Sequence, residues 1–116
     1  MSKSLGPYTP FVRAGDLLFV SGQVGMLDGA VVSGGISEQT AQVVANLAAR
    51  LAEAGAALDD VVKTTCFLTD MGTFAEFNEA YTSAFGDHRP ARSTVAVSAL
   101  PGGVVVEIEA IAYLRA

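Results

Sequence analysis

The sequence predicts an α+β fold in which a mixed β-sheet carries two helices on one face. The first observation is the order of strand-like and helix-like segments, which is β-β-(β)-α-β-α-β-β. The second is the helix between the strand at 61–68 and the strand at 93–100, a connection that favours a parallel pair. The third is a hairpin signal near each end of the chain, which adds antiparallel strands. The 116 residues fit one domain, taken as 1–116.

The N-terminal part predicts a hairpin of two short strands. Residues 11–13 and 17–20 are rich in apolar side chains, and the turn residues Ala14-Gly15-Asp16 separate them. Residues 30–32 predict a third, minor strand. Gly34 and Gly35 then interrupt any regular structure before the first helix.

The first helix is predicted from apolar side chains at three-to-four spacing over about 17 residues. Ser37 is its predicted N-cap, and Gly55 is its predicted C-terminal stop. The stripe that should face the core consists of Ile36, Thr40, Val43, Val44, Leu47 and Leu51.

A strand and a second helix follow. Residues 61–68 are rich in β-branched side chains, which favours a strand. Thr73 and Glu76 have the spacing of a capping box at a helix start, and Gly86 is placed to end that helix. The face of this helix that should be buried carries Phe74, Phe77, Tyr81 and Phe85.

Residues 93–100 and 104–113 predict an antiparallel hairpin, because the Pro101-Gly102-Gly103 segment between them is a turn signal. Alternation along these strands assigns one wholly apolar set to the face under the helices. The opposite, helix-free face is predicted to carry Arg92, Thr94, Val105, Glu107, Glu109, Ile111 and Tyr113. This mixture of charged and bulky apolar side chains fits either a subunit interface containing a site or a solvated surface, and the pattern leaves both open.

Charge and composition exclude several classes of function. Twelve Asp and Glu against seven Lys and Arg give a net charge of −5, which leaves no basic patch for nucleic acid. Cys66 is the single cysteine and His88 the single histidine, so we expect neither an internal disulfide nor a metal site. The start lacks the apolar segment of a signal peptide, and Pro101 interrupts the longest uncharged run, so we expect a cytoplasmic protein without a membrane span. With 51% hydrophobic and 16% charged residues, so short a chain should expose apolar surface unless it forms an oligomer.

Three charged residues are candidates for substrate binding or proton transfer. An arginine at the mouth of a strand, such as Arg92, suits bidentate binding of a carboxylate; the alternative is a salt bridge to Glu107 or Glu109. These two carboxylates stand two residues apart, so they should point the same way at roughly 7 Å. Beside apolar side chains, such a carboxyl group has a raised pKa and transfers protons; the alternative is that Arg92 or solvent relieves the repulsion. In a tight hairpin Thr94 would face Glu109 and Ala96 would face Glu107, which brings Glu109 closer to Arg92.

Taken together, these segments resemble the Rid (reactive intermediate deaminase, YjgF-like) family, and in particular its arginine-containing, RidA-like members, over nearly the whole chain. The resemblance implies a chorismate-mutase-like fold with a six-stranded mixed sheet, and a homotrimer with a central barrel and clefts between subunits. It implies cofactor-free and metal-free hydrolysis of enamines or imines, such as 2-aminoacrylate, to 2-keto acids and ammonia. The matching motifs are Gly6-Pro7-Tyr8, residues 16–23, residues 61–68, Phe77-Asn78, Pro90-Ala91-Arg92-Ser93-Thr94 and residues 107–112.

The resemblance also assigns roles to single residues. Arg92 matches the arginine that holds the substrate carboxylate, and Glu107 matches the acidic residue that positions or activates water; geometry alone favours Glu109. The chain departs from the family at Thr9-Pro10-Phe11 and at Ala96, where an acidic residue is common. Thr94 stands where many members carry cysteine. The positions that match substrate-binding residues are Tyr8, Ser21, Gly22, Asn78 and Thr94.

Two further functions fit the same residues. A regulatory trimer without turnover would use Arg92 to hold a small carboxylate such as a 2-keto acid. A pathway-specific hydrolase would act on a larger nitrogen compound, for which the altered segment at Pro10 and Phe11 is the motive.

Overall fold

A mixed five-stranded sheet covered by two helices forms the body of the protein. The computed structural model describes residues 6–115. Residues 1–5, which belong to the segment expected not to be a signal peptide, and residue 116 lie outside the described part. The strands of the main sheet stand in the order β1-β2-β7-β5-β6, and β3 pairs with β4 in a separate ribbon. The elements are β1 (Phe11–Ala14), β2 (Leu17–Val24), β3 (Met26–Leu27), β4 (Ala30–Val31), α1 (Ile36–Glu53), β5 (Val61–Leu68), α2 (Phe74–Phe85), β6 (Ala91–Ala96) and β7 (Val106–Tyr113).

The α+β class is confirmed, and both helices and every predicted strand segment are present. The main sheet has five strands rather than six, because the minor strand at 30–32 does not join it. Ala30–Val31 instead folds back on Met26–Leu27 through Asp28 and Gly29, both of which have positive φ. Asp-Gly is a preferred pair for such two-residue hairpin turns, so the local turn fixes this strand's partner.

The core lies between the helices and one face of the sheet. Alternate residues of β7 are buried there, as the apolar pattern predicts. The fully buried side chains include Leu18, Val43, Leu47, Leu51, Val61, Leu68, Phe77, Val106 and Ile108. Among residues 6–115, the structure contains no helix of sufficient length and apolar content to span a bilayer.

The predicted C-terminal hairpin is wrong, because β5 lies between its two strands. β6 pairs with β5 in parallel, as predicted, whereas β7 pairs in antiparallel fashion with β5 on one side and β2 on the other. The end of β5 holds both sides of the connection: the Val97 N–H donates to the Leu68 carbonyl, and the Thr69 N–H donates to the Val105 carbonyl. Inserting β7 in the centre satisfies both of its hydrogen-bonding edges.

The C-terminal ends of both helices agree with the prediction, and so does the start of α2, which begins at Phe74 directly after Thr73; the N-cap of α1 differs from the prediction. Gly55 and Gly86 follow the helices with φ of 78° and 68°, a conformation that glycine adopts without a steric cost. Helix α1 begins at Ile36, and Glu38 accepts a hydrogen bond from the Gly35 N–H at 2.9 Å. Ser37, predicted as the N-cap, is therefore one residue inside the helix.

The predicted capping box of α2 is replaced by contacts to other parts of the chain. Glu76 accepts a hydrogen bond from the Ser37 hydroxyl at 3.0 Å, which links the two helices. The Thr73 hydroxyl donates to the Asp70 carbonyl at 2.7 Å. Tertiary contacts thus take both side chains of the expected box.

The helix-free face of the sheet exposes several large apolar side chains. Tyr113 of β7 is on it, as predicted, and is 40% exposed. Val105 precedes β7 and packs against the core, contrary to its predicted place on this face. The exposed apolar side chains contributed by β1, β2, β6 and β7 are Val12, Leu17, Phe19, Val95 and Tyr113.

Candidate functional site

A cavity of about 460 Å³ opens where β2 and β7 run side by side. Four residues predicted for the site, Tyr8, Ser21, Gly22 and Glu107, line it together. Its remaining walls are formed by Gly6, Val24, Pro101 and Glu109. One chain therefore supplies an aromatic ring, a hydroxyl and two carboxylates to one concave surface.

Gly22 lies directly against the Glu107 carboxylate. A Cβ placed on Gly22 would stand 2.8 Å from Glu107 Cδ and would collide with Oε2. The pairing between β2 and β7 shifts register between Val20 and Gln23, and Gly22 lies within that irregularity. Glycine at this position therefore leaves the space that the carboxylate occupies.

The environment of Glu107 raises the pKa of its carboxyl group. Partial burial is the larger cause, because it penalises the charged form, and the negative charge of Glu109 adds to it. Glu109 is exposed, whereas Glu107 is half-buried. Of the two carboxylates, Glu107 is therefore the better placed to exchange a proton with a bound molecule.

Ser21 attaches the N-terminal segment to the sheet. Its hydroxyl donates to the Thr9 carbonyl at 2.6 Å, and its N–H donates to the Pro10 carbonyl at 2.9 Å. These bonds hold the residues that follow Tyr8 and so place the phenol ring at the cavity. Thr9 and Pro10, which depart from the family motif, thus accept these hydrogen bonds through their backbone carbonyls.

Arg92 and Thr94 lie on the face of the sheet that packs on the helices, so their predicted place on the helix-free face is wrong. In the parallel register, Arg92 stands beside Thr64 and Thr94 stands beside Cys66. Side chains that are opposite each other in adjacent strands point to the same face, and both Thr64 and Cys66 are fully buried. The predicted cross-strand pairs of Thr94 and Ala96 with the two carboxylates do not form, because β5 intervenes.

The Arg92 guanidinium rests on three aromatic rings of α2. Its Cζ lies 5.6 Å from the ring centroid of Phe74, 5.5 Å from that of Phe77 and 4.9 Å from that of Tyr81. The Tyr81 hydroxyl forms a 2.8 Å hydrogen bond with the Thr64 hydroxyl, which fixes this ring. Cation–π attraction therefore takes the place of a salt bridge.

Within residues 6–115, no Asp or Glu oxygen lies within salt-bridge distance of Arg92; the ion pairs there join Arg50 to Glu53 and Arg115 to Asp60. The alternative of an intrachain pair between Arg92 and Glu107 or Glu109 is thus wrong. The donors of the guanidinium remain available to an anion.

Arg92 and the rings of Phe74, Phe77 and Tyr81 form what we call the arginine cluster. On the same two elements, and within residues 6–115, two side-chain oxygens have no hydrogen-bond partner. They are Oδ1 of Asn78 on α2 and Oγ1 of Thr94 on β6, both fully buried as atoms. A buried polar atom without a partner costs free energy, about 1–3 kcal/mol. A ligand or water beside them would remove that cost.

Sequence reasoning missed the residues that support Arg92. The spacing of Phe74, Phe77 and Tyr81 was visible, but it indicated only a buried helix face. Thr64 carried no signal, because its role depends on the hydrogen bond to Tyr81. In the described part of the chain, no three His, Cys, Asp or Glu residues stand close enough to hold a metal ion.

Comparison with known proteins agrees with this architecture. The family model described as Endoribonuclease L-PSP matches residues 1–114. A RutC family protein of Pyrococcus abyssi is 48% identical over 113 residues, which cover 96% of this chain and 89% of that protein. The crystal structure of RidA from an Antarctic Psychrobacter has a TM-score of 0.92 at 38% identity and covers 97% of this chain and 92% of that one.

Escherichia coli TdcF, solved with bound serine, has a TM-score of 0.90 at 36% identity. It covers 97% of this chain and 91% of the TdcF chain. The family match spans nearly every residue, and the solved structures share the fold of this chain. The chain therefore belongs to the L-PSP family, the family of the YjgF and RidA proteins.

Proposed function

We propose that this protein is a cofactor-free hydrolytic deaminase, which converts reactive enamines or imines of the 2-aminoacrylate type to 2-keto acids and ammonia. Family membership supports a deaminase-type or small-molecule-binding role. The observation that carries the finer proposal is Arg92: its guanidinium lies on three aromatic rings with no carboxylate beside it in residues 6–115. An arginine in this state is ready to bind the carboxylate of a small substrate.

Arg92 fixes the substrate through its carboxylate. Two parallel N–H···O bonds remove rotational freedom and set the direction of the C=N bond. Within residues 6–115, the buried Thr94 hydroxyl and Asn78 amide oxygen have no hydrogen-bond partner. We assign the hydroxyl to the substrate carboxylate and the amide oxygen, an acceptor, to an N–H of the substrate. Their assignment as substrate-binding residues remains part of the proposal.

Glu107 handles the protons of the hydrolysis. A water molecule adds its oxygen to the carbon of the protonated imine while Glu107 accepts a proton from that water, which gives a neutral tetrahedral carbinolamine. Glu107 then donates this proton to the nitrogen. As the C–N bond breaks, Glu107 accepts the hydroxyl proton, the carbonyl of the 2-keto acid forms, and the departing ammonia takes up that proton and leaves as ammonium. The raised pKa of Glu107 suits both directions of transfer.

In the proposed homotrimer, Arg92 of one chain and Glu107 of a neighbouring chain meet between the subunits. In one chain Arg92 and Glu107 lie on opposite faces of the sheet, with β5 between their strands. Strand β6, which carries Arg92, is one of the two edge strands of the main sheet. The exposed apolar side chains of the helix-free face provide a surface for a second copy. Arg92 of one chain thereby approaches the cavity of the next.

Nuclease activity, which the family description names, fits this chain less well. Binding of RNA relies on neutralising phosphates with lysine and arginine. The net charge is −5, and two carboxylates line the cavity. A small monoanionic substrate held by one arginine fits these charges better than a polyanion does.

Ligand binding without turnover is the second candidate. The observation in its favour is that the related E. coli TdcF was solved with serine bound. The same arginine would then hold the carboxylate of a small effector, and Glu107 would have no catalytic part. Tight binding of 2-ketobutyrate without acceleration of imine hydrolysis would select this function.

The deciding experiment measures 2-keto acid release from 2-aminoacrylate that a pyridoxal-phosphate lyase generates in the same vessel. We expect the wild type to accelerate release over spontaneous hydrolysis, and Arg92→Ala to lose most of that acceleration. Arg89→Ala is the matched control, because Arg89 is exposed and bonds only to backbone carbonyls nearby. Hydrolysis by Arg92→Ala at the wild-type rate would refute the proposed role.

A further inference from the structure

A row of three amide side chains on α1 supports, from the helix side of the sheet, the backbone of segments that form the cavity on the opposite face. Gln39, Gln42 and Asn46 recur at helical spacing, and we call them the amide row. We propose that the amide row positions the two walls of the cavity, and that Gln39 is a positioning residue for Glu107. The catalytic consequence rests on the proposed function, whereas the structural consequence does not.

Gln39 holds the segment that leads into β7. Its Oε1 accepts a hydrogen bond from the Val105 N–H at 2.9 Å. Val105 stands two residues before Glu107, at the point where the chain enters the centre of the sheet. Gln39 is only 5% exposed, so water competes poorly for this bond.

Gln39 also packs against Gly25, which directly follows the cavity residue Val24. A Cβ on Gly25 would lie 2.8 Å from Gln39 Cβ and 2.9 Å from its Cα. The helix therefore touches the backbone directly after β2, three residues after Gly22. Gln39 thus contacts the chain shortly after Gly22 and shortly before Glu107, the two residues that are in contact at the cavity.

Asn46 extends the support along the cavity wall. Its Nδ2 donates to the carbonyls of Val24 at 2.9 Å and Met26 at 3.0 Å. Gln42 orients it, because the Gln42 Nε2 donates to Asn46 Oδ1 at 3.0 Å. Val24 lines the cavity, so the amide row holds that wall by its backbone.

These contacts predict that proton transfer and carboxylate binding respond differently to the loss of the Gln39 hydrogen bond. The amide row supports the wall that carries Glu107, whereas Arg92 is supported by the rings of α2. Loss of the Gln39 bond should therefore disturb proton transfer and leave carboxylate binding intact. A general loss of folding would disturb both.

The test compares three variants of α1. Gln39→Met keeps the volume and removes the acceptor, Gln39→Glu keeps an acceptor oxygen, and Thr40→Val is the matched control. Thr40 is the adjacent, fully buried residue, and its hydroxyl has no hydrogen-bond partner. We expect Gln39→Met to lower kcat by about tenfold to a hundredfold, since small misplacements of catalytic groups have such effects. KM should stay within about twofold of the wild type, because the arginine side is unchanged.

The other two variants serve as a rescue and as a control in these kinetic measurements. Gln39→Glu should recover most of the kcat lost in Gln39→Met, and Thr40→Val should match the wild type. A kcat of Gln39→Met equal to that of Thr40→Val would overturn the proposal. So would a parallel change in kcat and KM together with a shifted Arg92 amide resonance.

A second measurement, of NMR chemical shifts, does not require substrate turnover. Backbone amide resonances of Val105, Glu107 and Gly22 should shift in Gln39→Met, while that of Arg92 stays in place. Unmoved Glu107 and Gly22 resonances would overturn the proposal, whatever the activity. If the wild type hydrolyses no imine, the deaminase function fails, and these resonances still decide the role of the amide row.

Discussion

At the scale of the residue, Arg92 shows how a partly buried cation is kept available to an anion. An arginine that loses part of its hydration is usually paired with a carboxylate, since an unpaired charge away from water is costly. Here the faces of three rings supply the attraction, and the in-plane N–H donors are left for an anion. A salt bridge in the same place would have to be broken before any substrate carboxylate could bind.

Glu107→Gln should abolish catalysis and stabilise the fold at neutral pH. The amide cannot accept the proton of water, so we expect kcat to fall by about 10²–10⁴. Because the folded-state pKa of Glu107 is raised, this residue favours the folded state at low pH, and that contribution is lost as the pH rises through the raised pKa. The variant should therefore be more stable than the wild type at pH 7, and the difference should disappear in acid.

The pH profile of kcat provides the check. Wild-type activity should fall in acid at the raised pKa of Glu107. Glu109→Gln removes the neighbouring negative charge, so this matched control should move the acid limb to lower pH. If Glu107→Gln kept the activity of the wild type and Glu109→Gln lost it, the assignment of these two carboxylates would have to be exchanged.

At the scale of the element, the close contact of α1 with the end of β2 should be sensitive to a single methyl group. Gly25→Ala places a Cβ within 2.9 Å of the Gln39 Cα, which is backbone and cannot rotate away. We expect a loss of about 1–3 kcal/mol in the free energy of unfolding, typical of overpacking. Denaturant unfolding measures it.

Gly35→Ala is the control for that loss. Gly35 precedes α1, has no atom within 4 Å of an added Cβ and does not have positive φ. Its replacement should cost less than about 1 kcal/mol, as at a helix start. Equal losses in the two variants would show that the methyl group at Gly25 meets no special barrier.

Sequence patterns predicted the elements well and their pairing poorly. Apolar periodicity located both helices, and strand β5 has the predicted bounds of 61–68. Periodicity indicates which residues of a strand share a face, but it does not indicate the neighbouring strand. The sequence therefore predicts that β7 pairs with β6, whereas the fold places β7 between β2 and β5.

The same limit explains the outcome at the candidate site. Ser93 and Val95 alternate with Arg92 and Thr94, so neither side of β6 is clearly apolar. The aromatic rings of α2 decide the face by accepting the guanidinium, and that decision comes from tertiary structure. The cavity residues Tyr8, Ser21, Gly22 and Glu107 were predicted together, because family motifs reach beyond periodicity.

At the scale of the whole molecule, the described chain carries the arginine and the carboxylate of the proposed site on opposite faces of its sheet. The arginine cluster lies under the helices at one edge of the sheet, and the carboxylate cavity lies on the opposite face. The proposed homotrimer would join an arginine from one chain to a cavity of the next. It would also cover the exposed apolar side chains of the helix-free face.

Mixing of two inactive variants tests this arrangement directly. Arg92→Ala keeps the carboxylate half, and Glu107→Gln keeps the arginine half. In a cyclic trimer each site takes its arginine from one chain and its carboxylate from the next, so every mixed trimer contains a single intact site. Random exchange of equal amounts should therefore restore about a quarter of the wild-type activity.

The recovered activity should depend on subunit exchange. The two variants, blended without unfolding and refolding, should stay inactive, whereas co-refolded or co-expressed chains should be active at the mass of a trimer in light scattering. No recovery in co-refolded trimers would place both groups of a working site on one chain. The separation of Arg92 and Glu107 by the sheet argues against that outcome, because neither side chain can reach across β5 to the opposite face.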